Sequence, residues 1–527
     1  MGGWRERSWW GWGWTDEALD DAACRKLAEQ ALRPWMPIDG TVTPIPFDPL
    51  LESPRLIPPS IMEEAFQADS ITRASHSYGK AYRDVIRALN GRLDNPPDLV
   101  AYPRTTHDIV AILDWAEAAG APVVPYGGGT SVVGGIEYRG GGPWVSLDLS
   151  RLNRIAEIDE VNQAVRVQAG VFGPALAAAL KPKGLTLRHY PQSFEFSTVG
   201  GWLATRAGGH YATGPTRIDE FVEALRVLTP SGPIESLRVP GSGAGPSTDR
   251  LFLGSEGTLG VIVEAWLRVT RRPTFTASTA VTFAAMSEAV LATRDIAQSG
   301  LRPSNCRLLD PLEAMLQAGA QDGRARLLLG FESADSDVSA LLARTVEICE
   351  NHEGVPEPSG KSSAGGGEGD PSDTVGAWRG SFLRAPYIRD ALVRLGLVVE
   401  TVETACTWNR FEALHAAVLA AVQSAAPAKV AVVTCRFTHV YPDGPAPYFT
   451  IVTPGRRGAE VAIWDEIKAA ASEAIVANGG TITHHHAVGR DHRPWYDRQR
   501  PPLFADALRA AKKTLDPRGI LNPGVLI

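Results

Sequence analysis

The sequence has few cysteines and no long apolar run. Five cysteines are scattered over 527 residues, and no two of them are separated by only two residues. An odd, scattered set argues against both a disulfide framework and a zinc knuckle. No segment approaches the roughly 20 apolar residues that span a bilayer, and the N-terminus has no signal-peptide core. We therefore expect a soluble, cytoplasmic chain.

Positive charge is also scarce. Lys and Arg total 52 against 59 for Asp and Glu, so the net charge is −7, and basic runs are short. No electrostatic footprint for nucleic acid is present, and a phosphorylated ligand would need local arginines. With 44% hydrophobic and 21% charged residues, the composition is typical of a globular protein with a substantial core.

Two glycine-rich segments are the most informative feature. The first comprises Pro125, Tyr126, Gly127, Gly128, Gly129, Thr130 and Ser131, and the second comprises Gly254, Ser255, Glu256, Gly257, Thr258, Leu259 and Gly260. Glycines leave backbone N–H groups exposed, and such a run can form an anion-binding concavity. The first segment follows an apolar strand-like run, at the end of a strand where α/β sheets place ligands. The pair predicts a cradle for a diphosphate.

Two other nucleotide motifs fail on spacing. A dinucleotide fingerprint counted from Gly127 would need glycine where Val132 stands. A Walker loop ending at Gly360-Lys361-Ser362 would need four intervening residues, but Gly354 leaves five. Neither a GxGxxG site nor an ATP site is expected.

The chain divides by pattern into four parts. We expect a Trp-rich, helical segment over 1–95, a cofactor domain over 96–270, a substrate-binding cap over 271–478, and a C-terminal segment over 479–527. The order of strands and helices in the cap resembles a ferredoxin-like module. The Gly/Ser-rich stretch from Gly354 to Asp373 predicts a mobile lid or linker.

Tryptophans crowd the N-terminus, at Trp4, Trp9, Trp10, Trp12 and Trp14. Each can bury roughly 150–250 Å², so they are expected either to pack on another domain or to anchor at a membrane interface. Packing is favoured because glycines interrupt the run. An acidic helix is predicted from Asp16 to Arg33.

Three adjacent histidines follow a predicted strand, Thr481–Thr483. On a strand only alternate side chains, His484 and His486, would share a face unless the strand has ended. Metal binding is the rival interpretation, but no metal-ligand spacing accompanies His484, His485 and His486. We favour proton transfer or hydrogen bonding to substrate and predict no metal.

Arginines in unusual settings could hold an anion. Arg307 and Arg436 fall on apolar strands, and Arg389 lies at the predicted start of a helix. Each alone is more often an ion-pair partner, although a phosphorylated substrate could supply the anion. Tyr448, on a strand-like run, is either core or a proton-transfer group.

Together these features resemble the FAD-binding fold of the vanillyl-alcohol oxidase superfamily and, within it, the alkyldihydroxyacetonephosphate synthases and their bacterial relatives. The more discriminating motifs are the Trp-Gly-Trp-Gly opening, the segment Phe194–Trp202, Tyr387-Ile388-Arg389-Asp390, Glu403-Thr404 and the triple histidine. The resemblance implies an α+β fold, with a two-part FAD-binding domain, a ferredoxin-like cap and a helical C-terminal segment.

The resemblance also assigns roles to residues. FAD would be held noncovalently, since neither glycine-rich segment offers a histidine or cysteine for attachment. Arg389 would hold the substrate phosphate with support from Arg307, Tyr448 would exchange a proton, and the three histidines would shape the active site. Besides the two glycine-rich segments, the implied FAD contacts are Gln192, Ser193, Phe194, Glu195, Phe196, Ser197, Thr198, Thr205, Arg206, Ala207 and Gly208.

The implied activity is a transfer without net redox, in which the acyl chain of acyl-dihydroxyacetone phosphate is exchanged for a fatty alcohol. The partners would be small-molecule lipid substrates, a phosphorylated ketone and a fatty alcohol, with peripheral membrane contact and a homodimer left open. Gln192 and Gly209–Thr213 depart from the residues expected there. The alternative is an FAD-dependent oxidase or dehydrogenase of a 2-hydroxy acid such as D-lactate or glycolate.

Overall fold

The structure, a computed structural model, describes residues 5–33, 36–38, 40–357, 361–364 and 374–527. Trp4 and most of the predicted linker lie outside them. The first half contains α1 (Asp21–Leu27), β1 (Phe66–Gln67), α2 (Ser70–Ser75), α3 (Tyr82–Leu89), β2 (Leu99–Ala101), α4 (Thr106–Ala119), β3 (Val123–Tyr126), β4 (Val145–Asp148), β5 (Ile155–Asp159), β6 (Ala164–Gln168), α5 (Gly173–Leu180), β7 (Leu185–Thr186), α6 (Val199–Thr205), β8 (Val222–Thr229), β9 (Gly232–Glu235), α7 (Thr248–Phe252), β10 (Val261–Arg268) and β11 (Thr270–Arg271).

Two sheets form the cofactor half. One has the order β1-β2-β4-β3, with β2, β4 and β3 parallel. The other is antiparallel, in the order β5-β6-β10-β8-β9. Helix α4 begins at a capping box, in which the Thr105 hydroxyl and the Asp108 carboxylate accept each other's backbone N–H, and it ends at left-handed Gly120. The first glycine-rich segment starts within β3, at the carboxyl end of that parallel sheet.

The second half contains β12 (Phe275–Phe283), α8 (Met286–Gln298), β13 (Asn305–Leu309), α9 (Pro311–Ala318), β14 (Ala325–Ser333), α10 (Ser339–Glu350), β15 (Val355–Pro356), β16 (Lys361–Ala364), α11 (Thr374–Arg394), β17 (Leu397–Glu403), α12 (Trp408–Ala425), β18 (Val432–Tyr441), β19 (Gly444–Pro454), α13 (Glu460–Ala477), α14 (Arg493–Gln499) and α15 (Pro502–Leu515).

One antiparallel sheet runs through the cap in the order β15-β12-β14-β13-β18-β19-β17, with β16 also pairing with β12. Its first four strands have the order of a ferredoxin-like βαββαβ unit, as the sequence predicts. A second unit, β17-α12-β18-β19-α13, repeats most of that pattern. The two units join where Leu309 of β13 pairs with Arg436 of β18. Charged side chains on these two strands therefore meet at the middle of the sheet.

The predicted fold class is confirmed, and several local predictions need correction. The acidic helix spans only Asp21–Leu27, with a π turn to Leu32, because the Asp20 side chain caps it at Ala23 N–H. Within the predicted linker, β15 and β16 pair with β12. Arg389 lies near the end of α11 rather than at a helix start. The four domain boundaries stay predictions.

The last residues return to the first sheet. Val123 N–H donates to the Ile520 carbonyl at 2.8 Å, and the Asn522 N–H donates to Val123 at 2.9 Å. The chain end therefore packs beside the strand that carries the first glycine-rich segment. Among the described residues, no helix has the length and apolar character to cross a membrane.

Candidate functional site

A cavity of about 930 Å³ lies between the cofactor half and the cap. Its walls come from the first glycine-rich segment, from α6 and the loop before it, from α9 and α11, and from strands β17, β18 and β19. Large, mostly apolar cavities with a few convergent polar groups are the usual form of ligand sites.

Glycine is required in the first segment because other backbone passes directly behind it. A Cβ at Gly128 would lie 1.8 Å from the Phe196 carbonyl oxygen, and one at Gly127 would lie 2.3 Å from Thr198 Oγ1. Real Cβ atoms do not approach that closely, so this contact excludes any side chain. The first glycine-rich segment therefore packs tightly against the loop that precedes α6.

The second segment closes on the first. Gly257 has φ +74, and a Cβ there would lie 2.8 Å from Pro125 Cγ. Glu256 accepts the backbone N–H of Val488 and Gly489, while Asn522 donates to the Glu256 carbonyl at 2.7 Å and to the Gly135 carbonyl at 3.0 Å. Burial raises the pKa of Glu256 to about 7. The C-terminal segment therefore joins the second glycine-rich segment to the loop that follows the first.

Most of the predicted FAD contacts line the cavity. The lining members are Pro125, Tyr126, Gly127, Gly128, Gly129, Thr130, Ser131, Gln192, Ser193, Ser197, Thr198, Thr205, Ala207, Gly208, Glu256, Gly257 and Gly260. Their role as FAD contacts stays a prediction. Residues outside the predicted FAD contacts also line the cavity, among them Gly135, Gly200 and Asn522.

The remaining predicted contacts do not line it. Phe194 stacks on Trp202, Glu195 accepts from Trp14 Nε1, and Phe196 packs under the N-terminal tryptophans. Arg206 turns away to pair with Asp219 at 3.0 Å.

Four members of the second segment are also absent from the lining: Gly254, Ser255, Thr258 and Leu259. Gly254 packs against the Arg206 side chain, Ser255 and Thr258 are buried, and Leu259 lies in the apolar core. Only one side of a bent loop can face a ligand, which a contiguous sequence motif does not reveal.

Arg389 lies on α11 and lines the cavity. Its Nη2 donates to Asp390 Oδ1 at 2.8 Å, and its Nη1 donates to the Lys80 carbonyl at 2.5 Å. These two hydrogen bonds fix the orientation of the guanidinium. Such a fixed cation suits a phosphate in the cavity.

Two further arginines sit side by side in the cap sheet, where β13 meets β18. Arg436 pairs with buried Glu313 at 2.5 Å, and Arg307 donates to the His210 carbonyl at 3.0 Å. Burial and the neighbouring Arg436 lower the pKa of Arg307 to about 9. Both line the cavity, so an anion bound there would face two cations against one carboxylate.

Tyr448 lies on β19 within the same wall. The Arg436 guanidinium carbon lies 4.0 Å from the centre of its ring, and the His485 ring stacks with the same ring at 6.0 Å between centroids. Burial raises the pKa of Tyr448, and the Arg436 charge opposes that rise. The phenol is therefore protonated at neutral pH and is first a proton donor.

One buried carboxylate organises the triple histidine. Glu403 accepts the backbone N–H groups of His484 at 2.7 Å, His485 at 3.2 Å and His486 at 3.0 Å. Burial opposes ionisation of Glu403, but the neighbouring histidines and a hydrogen bond from the Thr483 hydroxyl hold its pKa well below the usual value. The Thr483 hydroxyl also donates to this carboxylate, and residues 481–483 form no strand, so the predicted strand there is wrong.

Because no strand forms, the histidines do not alternate. His485 and His486, which are adjacent, both line the cavity, and His484 points behind it towards Tyr441. Burial lowers the pKa of all three histidines, to about 3 for His484. They are neutral at pH 7 and can accept protons.

A hydrogen-bonded chain leads into this pair. The Tyr441 hydroxyl lies 2.6 Å from His484 Nε2, and His484 Nδ1 lies 3.1 Å from His485 Nδ1. His439 completes the group, with Nε2 at 3.1 Å from the Gly209 carbonyl. A carbonyl can only accept, so that nitrogen carries the proton. The sequence did not single out Tyr441 or His439, since neither lies in a motif.

His439, His484 and His485 bring ring nitrogens within 4.8 Å of one another, a grouping that could hold a metal ion. Both nitrogens of His439 and of His484 lie within hydrogen-bonding distance of protein atoms. The arrangement therefore favours proton transfer over metal binding, and the exclusion of a metal stays a prediction.

The residues fit FAD. Two glycine-rich bends face one cavity, each too closely packed for a side chain, and Thr130 and Ser131 add hydroxyl groups beside the first. Backbone amides in such a bend suit a diphosphate. The cationic and phenolic groups, Arg307, Arg389, Arg436 and Tyr448, line the same cavity from the cap.

Comparison with known proteins agrees with this geometry. Residues 97–238 match the FAD binding domain family, and residues 272–526 match the C-terminal domain of FAD linked oxidases. The chain is 30% identical to the alkyldihydroxyacetonephosphate synthase of Dictyostelium discoideum, over 88% of this chain and 79% of that protein. It is also 30% identical to a glycolate oxidase subunit of Bacillus subtilis, over 81% of this chain and 88% of that protein.

A solved alkyldihydroxyacetonephosphate synthase shares the fold, with a TM-score of 0.80 and 24% identity over 98% of both chains. The cavity, its two glycine-rich bends and the matched domains identify an FAD-dependent enzyme. With the end-to-end similarity to the synthases, they show that the chain belongs to the alkyldihydroxyacetonephosphate synthase family.

Proposed function

We propose that this enzyme exchanges the acyl chain of acyl-dihydroxyacetone phosphate for a fatty alcohol. The bond between C1 of the three-carbon unit and the acyl oxygen breaks, and a new bond to the alcohol oxygen forms. The acid leaves with both of its oxygens, the alcohol proton is released, and no net electron transfer occurs.

The observation that carries this proposal is the apolar extension of the cavity beyond its polar groups. Its walls there come from Leu312 and Met315 on α9, Leu392 on α11, and Val399 and Val452 on the sheet. An alkyl or acyl chain would bury roughly 0.8 kcal/mol per methylene in such a space. A two- or three-carbon hydroxy acid is too short to occupy this apolar extension.

The polar groups between cradle and extension match the needs of the reaction. Arg389 and Arg307 would hold the phosphate, which fixes the three-carbon unit at the centre of the cavity. Protonated Tyr448 would donate to the departing carboxylate and regain a proton from solvent, while neutral His485 would accept the alcohol proton. FAD, when bound across the two bends, supplies the electrophilic ring against which the three-carbon unit reacts.

His485 has a route by which to pass on that proton. Protonation at the cavity side would let its Nδ1 proton move to His484 and from there towards Tyr441, along contacts of 3.1 and 2.6 Å. Tyr441 lies nearer the surface, so the relay would return the proton to solvent and restore His485.

The test supplies the holoenzyme with palmitoyl-dihydroxyacetone phosphate and hexadecanol. We expect palmitate and the hexadecyl ether in equal amounts, with the flavin absorbance unchanged. Failure to release palmitate from a fully loaded enzyme would overturn the proposal.

The second candidate is oxidation of a 2-hydroxy acid, favoured by the similarity to the glycolate oxidase subunit. Arginines and neutral histidines beside a flavin site could serve that reaction as well. Anaerobic bleaching of the flavin by D-lactate or glycolate, without ether formation, would establish it.

A cytoplasmic location, peripheral membrane contact and a homodimer remain proposals. All five cysteines are buried thiols, which supports a reducing compartment. Trp10 and Trp12 are buried against the rest of the fold, so a membrane contact would use other side chains, such as exposed Phe47 and Leu50.

A further inference from the structure

The tryptophan-rich opening forms a compact turn against the cavity. Arg7 and Trp14 pair as an antiparallel bridge, and Ser8 N–H donates to the Gly13 carbonyl at 2.9 Å. Gly11 N–H donates to the Ser8 hydroxyl at 2.9 Å. We refer to residues 7–14 as the clasp.

The two glycines of the clasp are required by its contacts with α11. A Cβ at Gly11 would lie 2.6 Å from Asp390 Oδ2, and one at Gly13, which has φ +66, would lie 2.1 Å from the Tyr387 hydroxyl. The Trp-Gly-Trp-Gly pattern thus places tryptophans in the core while letting backbone reach the helix.

On the cap side, the clasp binds Asp390, which in turn binds Arg389. Trp12 N–H donates to Asp390 Oδ2 at 2.5 Å, and Asp390 Oδ1 accepts from Arg389 Nη2 at 2.8 Å. Trp14 N–H donates to the Tyr387 hydroxyl at 3.1 Å. The clasp backbone therefore helps to orient Asp390 and, through it, Arg389, which the Lys80 carbonyl also holds.

On the cofactor side, the clasp holds the first glycine-rich segment and the loop behind it. Arg7 Nη2 donates to the Gly128 carbonyl at 2.9 Å, with its guanidinium carbon 5.2 Å from the centre of the Phe196 ring. Trp14 Nε1 donates to Glu195 Oε1 at 2.6 Å. Phe194–Phe196, although outside the cavity lining, therefore connect the clasp to the cradle.

We propose that the clasp couples occupancy of the glycine cradle to the orientation of Arg389, so that FAD and the phosphorylated substrate strengthen each other's binding. The substrate half of this statement rests on the proposed function. Among the described residues, the Arg7 side chain donates to the cradle at Gly128, while Asp390 joins the clasp to Arg389. Coupling is reciprocal, so the phosphorylated substrate must change the affinity for FAD by the same factor as FAD changes the affinity for the substrate.

The experiment measures the FAD dissociation constant by flavin fluorescence, with and without saturating dihydroxyacetone phosphate. In the wild type we expect the phosphate to tighten FAD binding about fivefold or more. Asp390→Asn should weaken FAD, which it does not touch, by a similar factor. Arg7→Gln should raise the KM for palmitoyl-dihydroxyacetone phosphate while kcat changes less than twofold.

Gly13→Ala tests the clasp itself, and Gly91→Ala is its matched control. Gly91 has φ +68, so the backbone strain of alanine is equal, but a Cβ there meets nothing within 4 Å. We expect Gly13→Ala to abolish the effect of dihydroxyacetone phosphate on FAD affinity and Gly91→Ala to retain it. Arg25→Gln, at an exposed position of α1, is the control for Arg7→Gln.

The proposal is overturned if Asp390→Asn leaves FAD affinity within twofold of wild type, or if Gly13→Ala and Gly91→Ala show equal coupling. If dihydroxyacetone phosphate does not bind the wild type, the proposed function fails. The FAD affinity of Asp390→Asn then still decides whether the clasp connects α11 to the cradle.

Discussion

The two sides of the cavity are built from different materials. The cofactor side is mostly backbone, with glycines packed so closely that a Cβ at Gly128 would lie 1.8 Å from Phe196. The substrate side is made of buried charged and aromatic side chains on a sheet, including Arg436, Tyr448 and Glu403. Backbone amides can bind the diphosphate of a cofactor that many enzymes use. The side chains determine which reaction the enzyme catalyses. Away from the residues that the clasp connects, a change on one side should therefore affect binding of the cofactor, and a change on the other should affect turnover.

The largest effect is expected on the substrate side. Tyr448→Phe removes the protonated phenol and should lower kcat about 10²- to 10⁴-fold, while the flavin spectrum and FAD affinity stay as in wild type. Steady-state palmitate release measures it, and Tyr496→Phe, in a helix remote from the cavity, is the control. Unchanged turnover would remove Tyr448 from the mechanism.

The next effect tests the cofactor side. Gly128→Ala forces the first segment away from the loop before α6, and overpacking of about 1–3 kcal/mol should weaken FAD binding about 5- to 150-fold. Gly142→Ala, where a Cβ meets nothing within 4 Å, should bind FAD normally. Titration of the apoprotein with FAD distinguishes them, and equal affinities would contradict the backbone cradle.

A smaller effect is expected at the apolar end of the cavity. Met315→Trp should fill part of the extension and lower kcat/KM for hexadecanol about tenfold, with little change for octanol. Competition between the two alcohols, followed by mass analysis of the ethers, measures the ratio. The same loss for both chain lengths would mean that the extension does not hold the alcohol or acyl chain.

The smallest effect concerns acid stability. His189 is buried between Trp202 and Phe221, and burial lowers its pKa to about 3. Since the folded-state pKa is depressed, its contribution to stability is complete above pH 6.5 and is lost as the pH falls towards the folded value.

From pH 8 to pH 6 that loss is about 0.8 kcal/mol for one histidine. His189→Phe should therefore reduce the fall in unfolding free energy over this range by about that amount, measured by denaturant unfolding. The His439, His484, His485 and His486 cluster on the substrate side should account for more of the remaining slope. A variant whose pH dependence equals that of wild type would contradict this.

The sequence predicts the cofactor side of the cavity better than the substrate side. The glycine-rich segments, their strand and the ferredoxin-like order could be predicted because they are local patterns. The sequence could not assign roles to four residues, because their contacts are with residues distant in sequence. These are Glu403, Tyr441, His439 and Arg7. No strand forms at Thr481–Thr483, because Thr483 and the three backbone N–H groups that follow it surround the Glu403 carboxylate.

Isotope labelling tests the central claim most directly. With hexadecanol labelled at its oxygen with ¹⁸O, mass spectrometry of both products shows which bonds have exchanged. The account predicts the label in the ether bond of hexadecyl-dihydroxyacetone phosphate and none in the palmitate. Label in hexadecyl palmitate, with no ether formed, would contradict it, since the enzyme would then transfer the acyl group rather than replace it.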